Sequence, residues 1–408
     1  MAPSTPDSRE VDSPRLLDEA ALGELLEALR GDGYQLLGPR RVGQVIDYAP
    51  LERADELPQG IGAEQSPGRY RLLEHTGSDA HARFAYAAPA SSFKRHFFAP
   101  KLVLLRAKRS EDSESFRVLS AQTDAPPKLA LIGARACDLH AIVMQDHILG
   151  GASGRGPADT DYVARRSDVF VVAVNCGHPA STCFCTSTGT GPRAKEYFDV
   201  ALSELTNVTG VRYLARAGSD RGAALLERLT TTLPGAEELT QEADLLQRAE
   251  ASIERALPLE GLAAALQQNL ESPIWTQIAE RCLSCSNCTL ACPTCFCSSV
   301  EDSSSFDGQS AERSRRWDSC FTADHSYVHG GSVRSQTSSR YRQWLTHKLA
   351  TWREQLGAEA SVPHESADAS GCVGCGRCIT WCPAGIDITR EARRLRDPDG
   401  QSTEGTRG

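Results

Sequence analysis

The chain has 408 residues, 40% of them hydrophobic and 24% charged, enough for two or three domains with a buried core. A net charge of −9 speaks against non-specific nucleic-acid binding, and with no run of 18 apolar residues no membrane span is expected. Fifteen cysteines, an odd number behind a start without a secretory leader, suit metal or redox chemistry better than disulfides and make a reducing, cytoplasmic location the expectation.

Residues 1–13 are polar and proline-containing, which predicts a disordered arm. Pro14 opens a predicted helix with Leu16, Leu17, Leu22, Leu25, Leu26 and Leu29 on its apolar side, and Gly31 is placed to stop it. Between 34 and 120 the pattern is one of short strands: Tyr34–Leu37, Val45–Tyr48, Tyr70–Leu73, Arg83–Ala87 and Leu102–Ala107. From 128 the reading changes to α/β. Lys128–Ile132 is an apolar strand, Gly133 turns the chain, and Asp138 stands as N-cap of a helix to about Leu149. A loop with Gly150, Gly151, Gly154 and Gly156 leads to a helix at Tyr162–Arg166 and the apolar strand Val169–Val174. A strand–helix–strand unit favours a parallel sheet covered by helices. Residues 220–270 read as mainly helical.

The same spacing, Cys-x-x-Cys-x-x-Cys-x-x-x-Cys-Pro, then occurs twice. The first copy is Cys282, Cys285, Cys288, Cys292-Pro293, and the second is Cys372, Cys375, Cys378, Cys382-Pro383. A tight loop with thiols at every third position supplies three ligands to a 4Fe–4S cube, and a Cys before Pro commonly ligates the other cube of a pair. The expected assignment is crossed. Cys282, Cys285, Cys288 and Cys382 hold one cluster, and Cys372, Cys375, Cys378 and Cys292 hold the other. Zinc also takes Cys-x-x-Cys pairs, but a tetrahedral ion has no use for a third cysteine at the same spacing plus Cys-Pro, twice over. Between the motifs Ser339–Leu356 reads as a helix of roughly 27 Å with Tyr341, Trp344, Leu345, Leu349, Trp352 and Leu356 on one face, packed over the clusters.

The expected fold class is thus α+β. A mixed α/β partner-docking domain at 14–270 precedes a helical two-cluster ferredoxin-type domain at 271–395 and a flexible tail at 396–408. Seven cysteines remain. Cys137 follows the first strand at the start of a helix, where amide groups and the helix dipole favour a thiolate. Cys176 follows the next strand at the same carboxyl edge, and Cys183 and Cys185 come shortly after. These four are candidates for a third 4Fe–4S cluster, with Cys295, Cys297 and Cys320 as competing ligands; buried structural thiols or a lone redox thiol are the alternatives.

Arg313, Arg315, Arg316, Arg334, Arg340 and Arg342 make the insert between the motifs basic, either to offset cluster charge or as a solvated face or docking patch for an acidic partner. Thr188-Gly189-Thr190-Gly191-Pro192 lacks the residues of a nucleotide loop and reads as a turn holding the Cys183–Cys185 loop. His325 and His329 are expected to pack around a cluster loop rather than to bind metal as a pair.

Three stretches of the first half carry a family resemblance: Gly133-Ala134-Arg135-Ala136-Cys137-Asp138-Leu139-His140, Val174-Asn175-Cys176 and Thr182-Cys183-Phe184-Cys185. The second half adds Arg281-Cys282-Leu283-Ser284-Cys285 through Pro293-Thr294-Cys295-Phe296-Cys297, then Arg316-Trp317-Asp318-Ser319-Cys320-Phe321, and Gly371 through Cys378. Over about 90–390 the chain resembles the beta subunit of cytosolic NiFe hydrogenases, or sulfhydrogenases, and the electron-transfer subunit of anaerobic sulfite reductase is similar to these. The resemblance implies an electron-transfer subunit without a catalytic site of its own. It would bridge the NiFe small and large subunits to a flavin- and NAD(P)-binding gamma subunit in reversible H2 oxidation. The competing functions are the same relay in a sulfite reductase complex, a zinc-stabilised interaction protein, and a cysteine-based redox sensor.

Overall fold

The computed structural model describes residues 13–110, 115–120, 125–151, 156–208, 210–357 and 370–398. Nearly all of the expected arm, most of the tail and Gly154 lie outside them. The chain opens not with a helix at Pro14 but with strand β1 (Arg15–Leu17), because Asp18 accepts the Ala21 amide at 2.8 Å and starts α1 (Glu19–Gly31) there.

Strands β2 (Gln35–Val42) and β3 (Val45–Leu51) form a hairpin, followed by a separate β4 (Ile61–Ser66)–β5 (Arg69–Glu74) ribbon. After β6 (Lys101–Arg109) and β7 (Phe116–Ser120) comes the expected unit: β8 (Leu129–Ala134), α2 (Ala136–Leu149), α3 (Thr160–Arg166) and β9 (Phe170–Val174). Two strands absent from the sequence reading, β10 (Val200–Asn207) and β11 (Gly210–Ala217), complete a seven-stranded sheet of order β1-β11-β10-β9-β8-β2-β3. Its four central strands are parallel and its edges antiparallel. Side chains alternate across a strand, so Ala130, Ile132, Val172 and Val174 pack on α1, while Leu131, Val171 and Ala173 pack with Leu139 and Ile142 of α2.

Arg83–Ala87 is not a strand. Its main-chain groups are taken by buried side chains: Glu204 accepts from the Arg83 and Phe84 amides at 2.7 and 2.9 Å. Arg135, 1% exposed, donates to the Phe84 and Tyr86 carbonyls at 2.7 and 2.8 Å. Arg135, not Asp138, is the N-cap of α2. Asp138 sits in the first turn, where it accepts from the Tyr48 hydroxyl at 2.9 Å and faces Arg377 at 2.9 Å, both ends of that ion pair being 1% exposed.

The second half is helical around the cysteine loops. Helix α4 (Thr337–Thr346) runs through a π-helical turn (His347–Thr351) into α5 (Trp352–Leu356), as the apolar stripe predicts. Tyr341, Trp344, Leu345 and Leu349 pack there with Ile274, Trp275, Ile278, Ile388 and Leu395. The sequence reading missed the hairpin β12 (Ser298–Ser304)–β13 (Ser310–Trp317), which joins the sheet β12-β13-β6-β7. Strand β13 pairs directly with β6, so the halves share a sheet.

Candidate metal centre

The two cysteine motifs fold alike because their spacing imposes one turn twice. Ser284 and Ser286 occupy left-handed backbone (φ 51° and 67°), as do Gly374 and Gly376 (φ 60° and 73°) at the same offsets in the second copy. The amide two residues on points back at the first thiol in each: Ser284 N–H to Cys282 Sγ at 3.4 Å, and Gly374 N–H to Cys372 Sγ at 3.5 Å. The Ile386 amide reaches Cys382 Sγ at 3.3 Å. Amides aimed at sulfur favour the thiolate that iron needs.

One cavity is lined by Cys282, Cys285, Cys288 and Cys382, the first quartet of the crossed assignment, with Cys378 also on its wall. Tyr341 and Trp344 line it too, and the Tyr341 hydroxyl and Trp344 Nε1 are buried without a protein partner. Orphaned donors beside four thiols fit a group with acceptor sulfides. Among the described residues no three Cys, His, Asp or Glu side chains draw together tightly enough for a single metal ion. Thiols spread around a cavity suit the corners of a cube.

The second quartet is deeper. Burial raises the pKa of Cys372 to about 12 and those of Cys375 and Cys378 above the ordinary thiol value, with Cys292 acting on all three. Cys292 moves the other way. A hydrogen bond from Cys295, then the charge of Lys348, holds its thiol well below the usual range. Cys288 acts on Cys378 and both line the same cavity, so the quartets adjoin.

Cys137 and Cys176 lie where expected, past the carboxyl ends of β8 and β9. The α2 dipole does not win at Cys137, because burial drives its pKa well above the ordinary value. Burial likewise lifts Cys183 to about 12, with Cys176 next among the causes. Cys185 feels Cys183 and Cys176 in turn, and Cys137 feels Cys375 ahead of Cys185. This loop docks on the second motif: the Phe184 amide donates to the Gly374 carbonyl at 2.8 Å, and a Cβ on Gly374 would stand 2.6 Å from the Cys185 backbone. The Thr188–Pro192 turn holds it as predicted, with the Thr190 amide bonded to the Cys185 carbonyl at 3.0 Å. Of the competing ligands, Cys295 pairs with Cys292, while Cys297 acts on both Cys320 and His325. His325 Nδ1 meets Asp318 at 2.9 Å and His329 is exposed, so the two histidines do not form a metal pair.

The insert's arginines mostly find carboxylates rather than thiols: Arg313 meets Asp302, Arg316 meets Glu301, Arg315 meets Asp159 and Arg342 meets Glu271. Of that set Arg334 does act on a thiol, Cys320, but the buried cations beside the thiols are Lys94, Lys348, Arg135 and Arg377, and sequence reasoning gave none of these four this role. One signal was available, since Lys348 lies four residues from both Trp344 and Trp352 on the buried stripe. Both terminal nitrogens of Arg377 lack an aligned hydrogen bond although Asp138 lies within ion-pair distance, leaving donors free toward Cys375 and Cys137.

Comparison with known proteins matches the family described as "4Fe-4S dicluster domain" to residues 281–386, the segment carrying both motifs. The sulfhydrogenase 2 beta subunit of Pyrococcus furiosus is 30% identical over 356 residues, 86% of this chain and 97% of that one. The chain belongs to the sulfhydrogenase beta-subunit family. It is an iron–sulfur, electron-transport member of an oxidoreductase family, with a mixed α/β first region and a ferredoxin-type second region. No solved structure matches it, and none of its described helices is long and apolar enough to cross a membrane.

Proposed function

We propose that this sulfhydrogenase beta-type chain relays electrons between the NiFe small and large subunits of a hydrogenase complex and its flavin- and NAD(P)-binding gamma subunit, in a reducing cytoplasm. Cys282, Cys285, Cys288 and Cys382 would hold one 4Fe–4S cluster, and Cys372, Cys375, Cys378 and Cys292 a second. Such clusters supply one-electron redox chemistry without bond rearrangement. Cys137, Cys176, Cys183 and Cys185 are the favoured ligands of a third beside Cys375, since Cys183 and Cys185, in the loop docked on Gly374, lie together with Cys176, whereas Cys295 pairs with Cys292 and Cys297 with Cys320.

The observation that carries this reading is the continuous array of thiols. It starts at Cys285, which is exposed beside Leu283, passes inward from Cys288 to Cys378, and ends where the Cys183–Cys185 loop meets Gly374. The protein's own groups shape that path. Backbone amides orient the thiols, apolar walls from Phe321, Tyr341 and Trp344 exclude water, and buried cations offset the sulfur charge.

Iron and acid-labile sulfide counting on anaerobically purified protein, with EPR of the reduced state, tests it. About eight irons mean two clusters and about twelve mean three. Protein that is colourless and carries zinc without sulfide overturns the reading. A neighbouring gene for a sirohaem protein instead of NiFe subunits would redirect the relay to sulfite.

A further inference from the structure

Lys348 is 2% exposed, yet no carboxylate pairs with it among the described residues. A buried ammonium without a counter-ion is costly, so a negative group near it is to be expected. Its Nζ donates to Thr294 Oγ1 at 2.7 Å and lies 4.4 Å from the Trp352 ring centroid. Thr294 Oγ1 in turn lies 3.3 Å from Cys292 Sγ and donates to the Gly371 carbonyl at 2.8 Å. Meanwhile the Lys348 carbonyl accepts the Gly371 amide at 2.9 Å, one residue before Cys372. One residue, placed in a π-helical turn of the kind that often marks functional positions, therefore ties down both the Cys292 and the Cys372 ends of a single quartet.

Lys94 repeats the arrangement from the other half of the chain. It is 6% exposed, and its Nζ donates to the carbonyls of Cys292 and Cys295 at 2.9 and 3.2 Å and to Leu290 at 3.3 Å. It also lies 4.1 Å from the Trp317 ring centroid, again without a carboxylate among the described residues.

We propose that Lys348, with Lys94 in support, is a positioning residue that sets the reduction potential of the interior cluster. This rests on the ligand assignment above. Adding one electron to a group held by Cys292, Cys372, Cys375 and Cys378 adds one negative charge beside a fixed, desolvated cation. In a low-dielectric setting that cation stabilises the reduced state and makes the interior site the better electron acceptor of the pair. Among the described residues no comparable unpaired ammonium lines the outer cavity.

The test is an EPR-monitored redox titration of the full-length, iron-loaded protein. Cys382→Ser serves as the reference that removes the outer signal. Lys348→Met is expected to keep its iron, lower the interior midpoint potential and leave the outer one unmoved. Lys348→Arg should restore most of the shift, and Lys94→Met should lower the same potential by less. If Lys348→Met fails to take up iron, Lys94→Met decides: a lowered interior potential supports the inference and an unmoved one overturns it. Iron-loaded Lys348→Met with both potentials unchanged, or shifted equally, also overturns it. Wild-type protein without iron would instead sink the ligand assignment itself.

Discussion

The two cysteine motifs share spacing, turn geometry and amide-to-sulfur bonds, yet they sit in different surroundings. The first copy places serines at its two left-handed positions, where a side chain costs roughly 1–2 kcal/mol of backbone strain each. The second uses glycines because it must. A Cβ on Gly376 would lie 2.4 Å from the Thr182 carbonyl oxygen, and one on Gly371 would lie 2.2 Å from the Trp352 ring. The outer cavity opens at exposed Cys285 and is walled by neutral donors, whereas the interior quartet is enclosed by packed loops and buried cations. An identical cysteine pattern thus specifies the cofactor, and the residues between and around the cysteines specify how that cofactor behaves.

The sharpest break in the comparison comes from Cys382→Ser. If the thiols cross as proposed, this change in the second motif abolishes the outer signal and leaves the interior one; EPR showing the interior signal lost would return Cys382 to its own loop. Next in size is Arg377→Met. It strands Asp138 in the wall of the interior quartet and should cost about 3–5 kcal/mol in a denaturant titration, with Asp138→Asn/Arg377→Met recovering part of the loss.

That wall reaches back through Pro89, whose carbonyl accepts from Arg377 Nε at 2.9 Å, to the segment gripped by Glu204. Burial raises the Glu204 pKa from 4.5 to about 7, against the pull of the Arg83 and Phe84 amides. The folded protein therefore holds a proton that the unfolded chain has released. The Glu204 contribution to stability should be full below about pH 4.5 and be lost, by about 3 kcal/mol, as pH rises through 7. Anaerobic denaturation across that window should show a flatter profile for Glu204→Gln, and an unchanged slope would remove Glu204 as its source. The smallest effect is expected from Tyr341→Phe, which deletes one orphaned donor from the outer cavity. It should lower the outer potential by less than Lys348→Met lowers the interior one, with iron content intact.

Much of this was legible from spacing alone. The two Cys-x-x-Cys-x-x-Cys-x-x-x-Cys-Pro runs announce the chemistry, and the period of Tyr341, Trp344, Leu345 and Leu349 announces the helix over it. Strands β8 and β9, apolar on both faces, read plainly because both sides of the central sheet are covered. What escaped were features set by distant partners. Arg83–Ala87 has the composition of a strand, but Glu204 and Arg135 claim its hydrogen bonds. Strand β12 is too polar to announce itself (Ser298-Ser299-Val300-Glu301-Asp302) and exists because β13 lies between it and β6. The lysines by the thiols escaped because a charged residue in a helix is normally assigned to solvent.

The pairing of β6 with β13 has a consequence for biosynthesis. Residues 101–109 leave the ribosome some two hundred positions before the strand that completes their sheet, so until then their hydrogen-bonding edge stays unmated. Expressing the cysteine-rich half alone would strand β13 in the same way, and the chain should be produced and loaded with iron as a single unit.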